Sequence, residues 1–343
     1  MDNRPLRILS NIEDLEKGAR PGLTIEHSHI DPQAGSLSAF RLFWRSLRQD
    51  AILLDANPRY LWLLCLLRWL WPLSGCRLIS LDIIFVKPRS WKETLQAWFR
   101  KQLLRRVDHF VHYFKDLSGY RRYFGIGDDR STYVPFKVNG WDKLPSKENL
   151  SSNGAYVFTG GRSLRDLDTF LAAMRLLPYP AVLLYHDLAR MEANGTPVPF
   201  DRLPPNVRAV EDNGRPESWL RHLNGAKVVV LTTLPSSIRA VGISTYLDAM
   251  ALGKCVVMTD GPATNGLIKK EAILVSPCDA AALAEAIRAA WEDDTLREAT
   301  ARAGRRYAET LEGNTRLLRD VLRVCAEQCG IAVGRVKTSG GAE

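Results

Sequence analysis

The chain lacks the marks of small secreted, fibrous and membrane-spanning proteins. Six cysteines occur in 343 residues, none in a C-x-x-C pair and none at a Cys/His spacing that suits zinc. Cys325 and Cys329 lie four apart on an expected helix and read as two small apolar side chains on one face. The composition suits a reducing cytosol. Glycine (24) and proline (18) are too scarce for a collagen or a low-complexity chain, and no internal repeat is visible. Long apolar runs are also missing. The greasiest stretch, residues 60–73 (YLWLLCLLRWLWPL), is broken by Arg68 and Pro72, and a spanning helix needs about 20 apolar residues. It is either a buried core helix or one that lies on a membrane surface. The charged opening, MDNRPLRILSNIEDLEKG, has no apolar core, so no secretory signal is expected.

What is present fits a soluble globular chain: 46% hydrophobic and 25% charged residues. At about 150 residues per domain, two domains are expected. A chain this long buries enough surface to need no disulfide staples. Lys plus Arg (47) exceeds Asp plus Glu (38), for a net charge of +9 and a pI near 9.3. No nucleic-acid recognition motif accompanies that charge, and charge alone is sequence-blind, so nucleic acid is not an expected partner.

Strand-like and helix-like runs alternate. In the first half, strands are expected at 6–9, 23–26, 50–54, 76–86 and 107–113. Helices are expected at 38–48, from Tyr60, and at 90–106. A polar stretch, 139–153 (NGWDKLPSKENLSSN), reads as a linker. The alternation then restarts, with strands at 155–159, 181–185, 207–210, 227–231, 255–259 and 273–275, and helices at 165–176, 217–224, 245–252, 280–292, 294–310 and 315–329. The expected division is residues 1–150, residues 151–332 and a mobile tail at 333–343. The pattern implies an α/β fold of two Rossmann-like, doubly wound parallel-sheet domains facing across a cleft. Ligands of such sheets bind beyond the C-terminal strand ends, so the cleft is the expected site.

The most informative segment is 227–279 (KVVVLTTLPSSIRAVGISTYLDAMALGKCVVMTDGPATNGLIKKEAILVSPCD). A buried strand runs into a Pro/Ser/Gly loop, and a helix starts near Ser244 and Thr245. The amides of Gly242, Ile243, Ser244 and Thr245 then sit at a helix N-terminus, which favours an anion such as phosphate. Asp248, one turn in, is placed to accept from a sugar hydroxyl.

The run GISTYLDAMALGKCVV, the G-x-x-x-x-G-L-I turn and ILVSPCDAAALAEAI resemble the C-terminal domain of retaining GT-B glycosyltransferases of the family-4 type. The resemblance covers about 153–308 well and the first half by pattern. In that family the loop and helix carry an E-x7-E motif, whose second acid binds the ribose of a nucleotide-sugar. Asp248 holds the second acid position, and Ala240 stands in the first, which usually contacts the donor sugar. The family also places G-G-R after the first strand of this domain, with a second cation further on. Gly160, Gly161 and Arg162 match it, and Arg165 is the nearest second cation. Both arginines are implied as diphosphate ligands. A His-Asp pair of the first domain corresponds to Leu81-Asp82, so Asp82 is a candidate catalytic residue or else a strand-end cap. His27, His29, His109 and His112 could reach the cleft or be structural.

The resemblance implies transfer with retention from a nucleotide-sugar, UDP or GDP type, to a lipid-linked or saccharide acceptor. It implies no cofactor and no bound metal. A relative that binds nucleotide without turnover is the alternative, because of Ala240 and Leu81. A cytoplasmic location is expected, either free or peripheral at the inner face of the membrane. Residues 90–106 (SWKETLQAWFRKQLLRR) form a basic amphipathic helix. Six of nine tryptophans fall between positions 44 and 98. That helix is either docked on anionic lipid or turned into the core, since periodicity alone does not separate the two.

Overall fold

Short apolar runs bounded by turn residues become strands, and each long amphipathic run becomes a helix that covers them. The computed structural model describes residues 5–19, 22–27, 36–56, 60–71, 75–146 and 154–331. His29, much of the polar stretch after 146 and the 333–343 tail lie outside them. Strands β1 (Leu6–Ser10), β2 (Leu23–His27), β3 (Ala51–Asp55), β4 (Arg77–Leu81), β5 (His109–His112) and β6 (Ser131–Tyr133) form one sheet in the order β2-β1-β3-β4-β5-β6. Strands β7 (Tyr156–Gly160), β8 (Ala181–Tyr185), β9 (Val207–Glu211), β10 (Ala226–Leu231), β11 (Cys255–Thr259) and β12 (Ile273–Val275) form another, in the order β12-β11-β10-β7-β8-β9. Every pairing is parallel. The strand order reverses between β1 and β3, and between β10 and β7. Such switch points open crevices at the C-terminal strand ends.

On the first sheet, α1 (Ser36–Ser46), α2 (Tyr60–Leu70), α3 (Trp91–Leu104) and α4 (Ser118–Phe124) share one core on one face. Helices α5 (Leu167–Met174), α6 (Leu188–Ala193), α7 (Pro216–Asn224), α8 (Ile243–Ala251), α9 (Ala280–Glu292) and α10 (Asp294–Leu311) follow in the second half. Of these, α7 and α8 pack on one face of the second sheet, and α5 and α9 on the other. The last helix, α11 (Asn314–Gln328), follows the second half in sequence and packs on the first sheet. Leu318, Val321, Leu322 and Cys325 of α11 share a core with Ile8, Leu53, Ile79 and Val111. Arg316 fixes the crossing by donating to the carbonyls of Pro135 and Phe136 at 2.9 and 2.8 Å and to Asp320 at 2.9 Å.

One expected strand is shorter in the structure. Sequence alternation suggests 76–86, yet β4 ends at Leu81, where Asp82 adopts a left-handed backbone (φ 46°). The reason for the false extension is visible in the burial. Ile83 and Phe85 point in while Ile84 and Val86 point out, which imitates a strand's period of two without sheet pairing. The Tyr120 hydroxyl takes over the role of the missing partner strand, donating to Ile83 O (2.7 Å) and accepting from Phe85 N (3.2 Å). Helices α4 and α6 and strand β6 were too short to show a period.

Candidate functional site

A cavity of ≈ 420 Å³ lies at the switch point of the second sheet. Its walls are the loop after β7, the end of β8, the start of α7, the N-terminus of α8 and the chain crossing at Asn139-Gly140. Arg165 reaches it from below. The backbone turns after β7 through Gly161 (φ 116°) and Leu164 (φ 50°), and Arg165 N donates to Thr196 Oγ1 at 3.0 Å. The guanidinium is buried. Nε donates to Gly160 O (3.0 Å), Nη2 to Thr245 Oγ1 (3.3 Å), and Nη1 has no partner. Among the described residues no carboxylate is within ion-pair distance of it. Burial lowers its pKa to about 10, so the group stays cationic at neutral pH. An unpaired buried cation is costly, and an anion arriving in the cavity would remove that cost.

Two glycines make room for this cation. A Cβ at Gly161 would stand 2.4 Å from Arg165 Nη2, and one at Gly242 (φ 84°) would stand 2.7 Å from Nη1. Gly242 is also the residue before α8, which starts without a side-chain cap, so its first amides have no intrahelical acceptor. Ser244 and Thr245 line the cavity, whereas Ile243 turns its side chain toward the cores. Arg162 stands exposed at the rim. The structure therefore brings together Gly161, Arg162, Arg165, Gly242, Ser244, Thr245 and Asp248, with Gly160 contributing its carbonyl.

Asp248 differs from the open carboxylate expected of a ribose ligand. Its Oδ1 accepts from the amides of Asn139 (3.0 Å) and Gly140 (3.3 Å), and Oδ2 accepts from Trp219 Nε1 (3.2 Å). A carboxylate has about four acceptor positions, and three are used here. Burial raises its pKa to about 6, against the lowering effect of these donors. Ala240, in the first acid position, is packed against the cores of both halves. Its neighbour Ile238 presses on α4, where a Cβ at Gly119 would come within 2.6 Å of it.

Asp82 is not brought to this cavity. It stands half-buried at the end of β4, on the first sheet. Burial raises its pKa to about 7, the neighbouring Asp55 adds to the rise, and Arg239 opposes it. His109 and His112 have partners within the first half. His109 shares a 2.8 Å hydrogen bond with Thr132 Oγ1. His112 is buried among Phe110, Phe114 and Tyr120, which drives its pKa down to about 3 and keeps it neutral. His27 closes β2 at the far edge of the sheet.

Sequence reasoning missed the far wall. His186 Nδ1 lies 2.9 Å from Asp212 O, and the indole of Trp219 holds Asp248. Both flank the β8 end and α7, elements that were legible. The usable signal was position beyond a strand end, since no motif marks either residue.

Residues 201–293 match the family model described as glycosyl transferases group 1. No curated protein matches the chain. Solved structures match over nearly its whole length. Sucrose-phosphate synthase from Thermosynechococcus elongatus is 17% identical with a TM-score of 0.67, covering 94% of this chain and 99% of that one. Anabaena HepE in complex with UDP and glucose is 13% identical, TM-score 0.65, covering 94% and 100%. A glycosyltransferase from Rickettsia africae is 13% identical, TM-score 0.64, covering 94% and 98%. The fold is the GT-B arrangement. The family match spans the α7–α8 wall of the cavity and not the Gly160–Arg165 wall. The family match covers under a third of the chain, and the solved structures share its fold.

Proposed function

We propose that the protein transfers a sugar, with retention, from a nucleoside diphosphate-sugar of the UDP or GDP type to a saccharide or lipid-linked acceptor. The observation that carries this is the buried Arg165 guanidinium, unpaired at Nη1 and pinned between Gly161 and Gly242 at the cavity floor. The diphosphate lies against Arg165, the exposed Arg162 and the uncapped start of α8. The base occupies the space bounded by His186, Gly214 and Trp219, and the ribose reaches the remaining acceptor position of Asp248. Transfer breaks the bond from the sugar's anomeric carbon to the diphosphate oxygen and forms one to the acceptor oxygen on the same face. The acceptor proton goes to the departing diphosphate. The protein's task is to stabilise the charge on that leaving group. HepE, which is similar in fold, was solved with UDP and with UDP-glucose, and this supports the donor class.

A second reading, nucleotide binding without turnover, is favoured by Ala240, which offers no carboxylate to a donor sugar. One experiment separates the two. UDP-, GDP-, ADP- and dTDP-sugars are tested for thermal stabilisation and slow hydrolysis, with Arg162→Ala as control. Stabilisation and hydrolysis by one nucleotide type, both weakened in the control, support transfer. Stabilisation without hydrolysis or transfer across an acceptor panel supports the second reading. Stabilisation by none of them overturns both.

A further inference from the structure

The layer α1–α3 on the first sheet has an outer surface that a water-soluble protein rarely keeps. Helix α3 buries only Ala97 and Leu104, while Trp91 (72% exposed), Trp98 (53%) and Phe99 face outward. Of the two alternatives for this helix, the tryptophans do not form the core face. Helix α1 adds Trp44 (66%), and α2 ends in exposed Trp69 and Trp71. Helix α2 packs against both α1 and α3, and these rings are exposed on that layer. Their charge is one-sided. The exposed Arg41, Lys92 and Arg100 and the half-buried Lys101 stand against the single acid Glu93, while Arg45 is paired with Glu26 and the largely buried Arg68 with Asp108. Glu93 is already engaged, accepting from Arg89 N at 2.6 Å. Lys92 lies 5.7 Å from the Trp91 ring centre, and Arg100 lies 5.3 Å from that of Trp62. Tryptophan interleaved with cations suits a lipid headgroup region, where the ring is half apolar and the cation meets phosphate. No helix among the described residues is long and apolar enough to cross a bilayer.

We propose that this face docks on an anionic lipid bilayer, with the rings of α1–α3 at the headgroup boundary. A second copy fits worse, since a face carrying Arg41, Lys92, Arg100 and Lys101 against one acid would meet the same charges. The surface also reaches the C-terminal end of β4. The segment from Asp82 to Trp91 exposes Ile84 and Val86 and runs directly from the end of β4 into α3. A lipid-linked acceptor can therefore keep its chain in the bilayer while its sugar enters from the first-sheet side. That acceptor class rests on the glycosyl-transfer reading; the docking itself does not.

The test is co-sedimentation of the full chain with phosphatidylcholine vesicles, with and without phosphatidylglycerol, alongside sizing in solution. Wild type should bind the mixed vesicles, with a blue-shifted tryptophan emission, and bind phosphatidylcholine alone weakly. Two double variants change exposed side chains only: Trp91→Ser with Trp98→Ser, and Lys92→Glu with Arg100→Glu. Each should weaken binding to mixed vesicles by about tenfold or more, with the melting temperature and its response to nucleotide unchanged. Binding that is absent in wild type, or that stays at the wild-type level in both variants, overturns the docking. A dimer that the tryptophan variant converts to monomer reassigns the face to a second copy. Vesicle binding without any nucleotide response leaves the docking standing and removes only the acceptor assignment.

Discussion

Replacing Arg165 by Met separates a binding cation from a structural one. The side chain keeps much of its length and loses its charge. In the free protein the guanidinium is buried without a carboxylate, and its pKa falls from 12.5 to about 10. At about 1.4 kcal/mol per unit, the charged form costs the fold on the order of 3 kcal/mol. Met removes that cost. It also leaves Gly160 O and Thr245 Oγ1 without their donor, a loss of about 1–3 kcal/mol in total. The two effects nearly cancel, so the free variant should unfold within about 2 kcal/mol of wild type, in either direction. Binding should respond very differently. Two charge-assisted hydrogen bonds to phosphate contribute about 1.5–3 kcal/mol each, so losing them weakens nucleoside diphosphate binding by roughly a hundredfold or more. Urea unfolding gives the first quantity and calorimetric titration with UDP and GDP gives the second. A variant that is several kcal/mol less stable and still binds nucleotide normally would refute the assignment, because Arg165 would then be a fold element.

Three other perturbations have equally definite expectations. Gly242→Ala places a methyl group 2.7 Å from Arg165 Nη1 and forces φ 84° on an alanine, so nucleotide affinity should fall at least tenfold with a stability loss of about 1–2 kcal/mol; calorimetry showing unchanged affinity would contradict the close fit. Asp82, with a pKa near 7 against an ordinary 3.8, favours its neutral form in the fold, so its stabilising contribution is present below about pH 4 and is lost as pH rises through 7. Asp82→Asn should therefore match wild type at pH 4 and exceed it by about 1–2 kcal/mol at pH 8, allowing for solvent screening; urea curves with no pH-dependent gap would show that the carboxyl is unstrained. Ala240→Glu inserts a carboxylate between two apolar cores and should cost about 2–4 kcal/mol. If that variant gains donor hydrolysis, position 240 still addresses the sugar; if it binds UDP without hydrolysis, the non-catalytic reading strengthens.

Much of the fold was legible because its signals are local. KVVVL and CVVMT are buried parallel strands that need no alternation, and both form neighbours in the second sheet. The glycine-lined half of the cavity was legible for a similar reason. Gly160-Gly161-Arg162 closes β7 and the Gly242–Thr245 loop follows β10, and each needs specific backbone geometry that glycine reveals. What stayed hidden depends on distant pairing. Nothing near Asn139 indicates that its amide meets Asp248, 109 residues on. Nothing in the amphipathic pattern of α11 says which sheet it covers, because both sheets offer apolar faces. The outward turn of Trp91 and Trp98 was equally undetermined, since a helix period locates a face and not its neighbour.

Asp248 shows how these hidden contacts change the meaning of a motif. By position it matches the acid that the resemblance assigns to a ribose. By contact it is the joint of the molecule, since one carboxylate holds α8 to the linker amides at Asn139-Gly140 and to the indole of α7. The same linker continues back to Lys137, whose Nζ donates to Asn314 Oδ1 at 2.7 Å at the start of α11, the helix that returns to the first sheet. The aspartate is one methylene shorter than the usual glutamate, which suits a backbone partner close to the helix. A ligand hydroxyl arriving at its remaining acceptor position would therefore meet a group already bonded to the crossing segment and to α7. The cavity and the chain crossing at Asn139-Gly140 thus share one carboxylate.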